Sequence, residues 1–148
     1  HWEPEARGTI TGITRGTTRA HLVRAALEAM AFSSAELLDA MAQTGGLTVP
    51  ALRVDGGAAA NDWLIDFQAG LLGVPVERPD LVETTALGAA GLAGIALGVW
   101  RDADEFHAGR RYTRFESRRS AADRAALLAG WRRSVGAALG WARDRPGR

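Results

Sequence analysis

Val54-Asp55-Gly56-Gly57-Ala58-Ala59-Ala60-Asn61 is the stretch on which the fold turns. A β-former runs into an acid, two glycines, three alanines and an asparagine able to cap a helix, which is the order of a strand end, a bend and a helix start. Ahead of it, past Pro50, Ala51-Leu-Arg-Val54 reads as a short strand. Behind it, Asn61 opens a helix on which Leu64, Phe67, Ala69, Leu71 and Leu72 supply apolar contacts up to a stop at Gly73. Ligands of open α/β sheets bind beyond the carboxyl ends of strands, and a bend without side chains lets a flat base or a ribose rest on main chain. A plain tight turn has the same spacing, and on spacing alone the two readings stand level.

Downstream, Val74-Pro-Val-Glu77 is a second strand with a proline near its start. Thr84 or Thr85 then opens a helix that runs through Ala86 to Leu97. Its Gly88, Gly91 and Gly94 each cost about 1 kcal/mol against alanine, so the spacing predicts close approach of another backbone, with a chance run of small residues as the alternative. Upstream, Gly8-Thr-Ile-Thr-Gly-Ile-Thr14 alternates like a strand, and Arg15-Gly-Thr-Thr18 is a turn with Thr17 or Thr18 as cap. From Arg19 to about Met41 apolar residues recur by threes and fours (Leu22, Val23, Ala26, Leu27, Met30, Ala31, Leu37, Leu38, Met41), which predicts a helix with one buried stripe, ended by Thr44-Gly-Gly46.

After Gly98 the pattern loosens into a polar link over residues 102–119, anchored by Phe106, Tyr112 and Phe115. Ser120-Ala-Ala-Asp123 has capping-box spacing, and Leu127, Leu128, Trp131, Val135, Ala138 and Leu139 mark a last amphipathic helix that frays beyond Trp141. Helices alternating with short strands imply an α/β unit with parallel neighbours. The first strand lies so near residue 1 that further strands are expected upstream.

Composition narrows the chemistry. With 148 residues, 47% hydrophobic and 24% charged, the chain has the balance of one globular domain. All 18 basic residues are arginine, which removes a Walker A loop and any lysine base or Schiff base from this chain. Cysteine is absent, which excludes disulfides and thiolate chemistry and suits a reducing cytoplasm. Charge is uneven: residues 1–99 hold six arginines and eleven acids, and residues 100–148 twelve arginines and six acids. The tract Arg110, Arg111, Arg114, Arg118, Arg119, Arg132 and Arg133 reads as a solvated face, with a nucleic-acid patch as the lesser alternative. No stretch reaches the roughly 20 apolar residues of a membrane span. His1, His21 and His107 lack zinc-site spacing, and Asp62 and Asp66 read as solvent-facing acids of one helix, so no metal site is expected. Five dispersed tryptophans favour packing roles over a sugar platform.

The order of the motifs adds to this. The chain resembles the FGGY carbohydrate kinases, and among them the glycerol kinases. The family's second signature is matched by Gly8-Thr-Ile10-Thr-Gly12-Ile13, His21-Leu22 and Ala25-Ala26-Leu27-Glu28. Trp2-Glu-Pro-Glu-Ala-Arg7-Gly8, Gly12-Ile-Thr-Arg15-Gly16, Leu52-Arg-Val-Asp-Gly-Gly57, Glu77-Arg78-Pro79 and Thr85-Ala-Leu-Gly-Ala-Ala90 carry the glycerol-kinase likeness, and Ala129-Gly130-Trp131 fits the family's last helix.

The resemblance implies an actin-like, ribonuclease-H-like ATPase fold whose first strands are missing from this chain. Residues 1–100 would be the nucleotide-binding core, and 101–148 a polar link and terminal helix of the same domain. Gly57 and Asn61 match positions that contact adenine or adenosine, with Gly56 and Ala58 lining the loop. Asp55 would hold the turn, a ribose contact being the alternative. The implied reaction is direct phosphoryl transfer from ATP, with Mg²⁺ held mainly by phosphates and residues outside this chain, to glycerol, giving sn-glycerol 3-phosphate and ADP. No catalytic residue can be carried over: the family's aspartate base, polyol contacts and main phosphate loops lie before residue 1. The implied partner is an N-terminal actin-like domain within roughly 300 upstream residues. A cytoplasmic homo-oligomer is expected, without membrane or nucleic acid. A xylulokinase and a non-catalytic actin-like fragment are the competing readings.

Overall fold

The computed structural model describes residues 3–46 and 48–143. Leu52–Arg53 (β1), Val76–Pro79 (β2) and Tyr112–Phe115 (β3) form one sheet in the order β1-β2-β3. β1 pairs parallel to β2, as the helix between them requires, whereas β3 returns antiparallel with Val76 opposite Phe115. Helices run over Arg19–Gly45 (α1), Asp62–Leu72 (α2), Thr84–Ala96 (α3), Ala103–His107 (α4) and Ala121–Arg143 (α5). His1, Trp2, Leu47 and the tail expected to fray from residue 144 on lie outside the described residues.

α2 is the centre of the core. Leu64, Ile65, Phe67, Gln68, Ala69, Gly70 and Leu71 are all buried, because α1, α5, β2 and β3 pack around it. Phe67 meets Phe32 of α1 edge-on at 6.0 Å, and Phe32 stacks on Trp131 of α5 at 5.1 Å, so one aromatic file joins three helices. Trp63 stacks on Phe67 at 5.4 Å, and Trp100 packs edge-on against Phe106 at 4.9 Å, so these tryptophans are packing residues.

Four expectations need correction. Residues 8–14 form no strand: no described strand pairs with them, and Ile10 and Ile13 stay 63% and 61% exposed. Alternation supplies a suitable surface, but a strand exists only when its backbone finds a partner. The polar link over residues 102–119, read without elements of its own, holds α4 and β3, and β3 pairs with β2.

Of the stripe read on α1 only Ala31 is buried, the helix's other buried residues being Phe32 and Ala35, while Leu22, Val23, Met30, Leu37 and Met41 are exposed. A helix of 27 residues is about 40 Å long and its partner of 11 residues about 16 Å, so α2 covers only the middle of α1. The glycines of α3 make room for aromatic rings, not for backbone. A Cβ on Gly91 would stand 2.4 Å from the Phe106 ring and one on Gly94 2.1 Å from the Trp100 ring, while Gly88 faces open space.

Candidate functional site at the end of β1

β1 and β2 are parallel, so the loops that follow them leave the sheet on one side. The first is the Asp55–Asn61 bend. Gly56 has φ +79°, a left-handed conformation that side chains resist, and this turns the chain sharply out of the sheet. Gly57–Ala60 then makes a single 3-10 turn, closed by Ala59 N–H to Gly56 O at 3.0 Å and Asn61 N–H to Ala58 O at 3.2 Å. Asn61 caps α2, its Oδ1 accepting the Leu64 N–H at 3.2 Å.

Two bonds lace this bend to the loop after β2. Gly56 N–H donates to Val82 O at 2.9 Å, and the Thr84 hydroxyl donates to Asp55 Oδ2 at the first residue of α3. Asp55 therefore holds the turn. The outer side of the bend is bare: Gly57, Ala58, Ala60 and Asn61 are exposed, and a Cβ added to Gly56 or Gly57 would meet nothing within 4 Å. Ala59 alone turns inward. A recess of about 110 Å³ lies against Asp55 and Ala58 and is floored by Met30, Ala31 and Gln68. A larger hollow of about 490 Å³, between α1, α2 and the start of α5, is lined by Leu38, Leu71 and Leu128 and does not reach the bend.

The four residues read from sequence as one loop, Gly56, Gly57, Ala58 and Asn61, thus lie in one bend, with Gly57, Ala58 and Asn61 exposed and Gly56 half-buried. Sequence reasoning missed what braces it from below. Arg78 of β2 donates through Nη1 to Ala59 O at 2.8 Å and to Asp62 Oδ1 at 2.7 Å. Glu77 points the other way and pairs with Arg53 and Arg114 on the two flanking strands, at 3.3 and 2.7 Å. The signal was the alternation of Glu77 and Arg78 within a strand, which sends one charge to each face of the sheet.

The remaining candidates fall away from this loop. His21 Nδ1 accepts the Thr18 N–H at 3.1 Å in the first turn of α1, a local bond. Asp62 is taken by Arg78, and among the described residues no three His, Asp or Glu side chains converge as a metal site would need. In the arginine-rich end, Arg111 pairs with Asp80, Arg114 with Glu116 and Glu77, and Arg132 with Asp39, while Arg110 and Arg119 lie over Phe106 and Phe67.

The profile of the FGGY family of carbohydrate kinases, C-terminal domain, matches residues 1–97. The chain belongs to that family. This FGGY chain is 57% identical over 143 residues to the glycerol kinase of Dechloromonas aromatica, covering 96% of the chain and 28% of that protein. It is 52% identical over 145 residues to the glycerol kinase of Deinococcus radiodurans, covering 97% and 29%. The crystal structure of Plasmodium falciparum glycerol kinase with ADP matches with a TM-score of 0.81 at 32% identity, covering 93% of this chain and 28% of that one. Xylulose kinase from Rhodospirillum rubrum matches at 0.74 and 24% identity over 95% and 29%, a likeness of fold alone. The FGGY chain therefore spans less than a third of the length of these relatives. It has their α/β fold with a small sheet, part of an actin-like domain.

Proposed function

We propose that the full-length protein transfers the terminal phosphoryl group of ATP to glycerol, giving sn-glycerol 3-phosphate and ADP, and that this chain forms the adenosine side of the cleft. The observation that carries the reading is 57% identity to a glycerol kinase across 96% of the chain, with the bend intact at the end of β1. In this reading Gly57 and Asn61 meet the adenine or adenosine, and Gly56 and Ala58 line the loop. Asn61 spends its Oδ1 on the helix cap, which leaves the two N–H donors of Nδ2 for an acceptor on the nucleotide. The bare glycines let a ring lie at van der Waals distance from the backbone.

Among the described residues no acids and histidines gather as a metal site would need, and in this reading Mg²⁺ is held mainly by the phosphates and by residues outside this chain. In this reading the base that accepts the proton from the acceptor hydroxyl also lies outside this chain, as the family resemblance implies, and Asp55 and Asp62 are engaged by Thr84 and Arg78. In this reading residues 1–100 and 101–148 act as one domain, which is supported by β3 lying in the sheet and α5 packing on α2.

A coupled assay of ADP release tests the proposal. The full-length protein should turn over glycerol, and residues 1–148 alone should be inactive. Turnover of xylulose with glycerol inert would refute the acceptor, and full activity from residues 1–148 would refute the division of labour. No helix among the described residues is long and apolar enough to cross a membrane. The reading places the protein in the cytoplasm as a homo-oligomer; recovery in the membrane fraction, or sedimentation of the full-length protein as a monomer, would remove those parts of it.

A further inference from the structure

The Glu77-Arg78-Pro79 block enters the resemblance without a role, and the structure assigns one: we propose that Arg78 is a positioning residue for the nucleotide, setting the height and tilt of the Gly56–Asn61 bend without touching the ligand. This rests on the adenosine-binding reading of that bend.

Arg78 sits on β2, and its side chain is only 18% exposed. Its guanidinium lies 5.2 Å from the centroid of the Phe115 ring on β3, which fixes the plane of the group from one side. From there a single nitrogen, Nη1, reaches two points that bracket the end of the bend: the carbonyl of Ala59 at 2.8 Å and the carboxylate of Asp62 at 2.7 Å. Ala59 is in the 3-10 turn, and Asp62 is the first residue of α2. Asn61, the one side chain of the bend able to read a base by hydrogen bonding, lies between them. Apart from these bonds, the bend is held by its own turn, its cap and the two bonds to the loop after β2.

Bonds to charged groups are the stronger ones, and a planar guanidinium fixes direction in a way that an ammonium does not. Removing Arg78 leaves Ala59 O without its partner and frees the junction of bend and helix. An adenine ring laid on bare main chain has few contacts, so small displacements of the bend cost affinity directly. The γ-phosphoryl group and the acceptor are held elsewhere and should not sense the change.

The test uses the full-length protein and ADP as probe. Arg78→Gln should raise the ADP Kd about tenfold, ~1.4 kcal/mol. It should raise the KM for ATP in proportion, with the KM for glycerol and kcat within about twofold of wild type. Arg78→Lys, which keeps the charge but offers ammonium N–H donors without the planar fork, should recover part of the affinity. Asp62→Ala, at a side chain 75% exposed, removes one end of the brace without emptying a buried site and should weaken ADP about threefold. The inference is overturned if both Arg78→Gln and Asp62→Ala bind ADP like wild type, or if kcat and the glycerol KM move as far as the ATP KM, which is the mark of general destabilisation. If Arg78→Gln does not fold, Asp62→Ala decides alone. A wild-type protein that does not bind ADP would instead remove the adenosine reading, and the positioning role with it.

Discussion

α2 and α3 are both short apolar helices that follow parallel strands, yet their surroundings are opposite. α2 follows β1, carries an asparagine cap at one end and the left-handed Gly73 at the other, and buries every residue from Leu64 to Leu71 except Asp66. α3 follows β2 and buries only Gly91 and Gly94. Among the described residues nothing covers Leu92 or Leu97, which are 74% and 82% exposed. The local rules for starting and stopping a helix operate in both. What differs is tertiary: α2 meets two long helices and the sheet, whereas α3 packs chiefly on α4 and the Trp100–Phe106 ring pair. The bend that α2 carries therefore stands on the best-packed part of the molecule, and binding sites gain precision from rigid support.

This contrast can be broken most decisively by truncation. Leu71→Ala should cost about 3 kcal/mol of unfolding free energy, because the side chain is fully buried, and Leu92→Ala should cost less than about 0.5 kcal/mol. Urea denaturation of both variants checks this, and equal losses would abolish the distinction.

Within α3 the glycines should divide in the same manner. Gly94→Val drives a side chain into Trp100 and should cost about 2 kcal/mol, whereas Gly88→Ala meets nothing and should add roughly 0.5–1 kcal/mol through the better helix propensity of alanine. Thermal melts of the pair suffice, and a loss at Gly88 would mean that this face has a partner in solution.

At the bend, Asn61→Ala should lose the cap at about 1 kcal/mol and also weaken ADP. Asn61→Ser restores the cap but not the amide, so stability should return while affinity does not. Recovery of both would leave the amide without a role in binding.

The smallest effect belongs to α4. The Glu105 N–H, donating to the Asp102 carboxylate, and then Arg101 hold that carboxyl below the usual range. A folded pKa below the unfolded one means that the cap stabilises α4 above the unfolded pKa and is lost as pH falls through the folded value. An NMR titration should find Asp102 still ionised where ordinary aspartates have begun to protonate, and Asp102→Asn should flatten the acid response of α4 alone.

Local chemistry was legible and partnership was not. Asn61, Gly73, Thr18 and Ser120 mark helix ends in sequence and do so in the structure. The half-buried side of α5 is the stripe read from its spacing, Leu127 to Leu139. By contrast, the alternation over residues 8–14 could not reveal that no described strand would pair with it, and the polar Tyr112-Thr-Arg-Phe115 gave little sign of its place beside β2. Even the three glycines of α3 were read correctly as room for a neighbour at two positions, but wrongly as to what fills it. At the site, the exposed bend was visible in the letters, while its brace from Arg78 required knowing that β2 runs beneath it.

The central claim, that adenosine rests on the bend after β1, is tested most directly by hydrogen exchange on the full-length protein with and without ADP. Amides from Gly56 to Asn61 should exchange more slowly when ADP is bound, with α3 beyond Leu92 unchanged. Saturating ADP that protects other segments and leaves Gly56–Asn61 untouched would contradict the account.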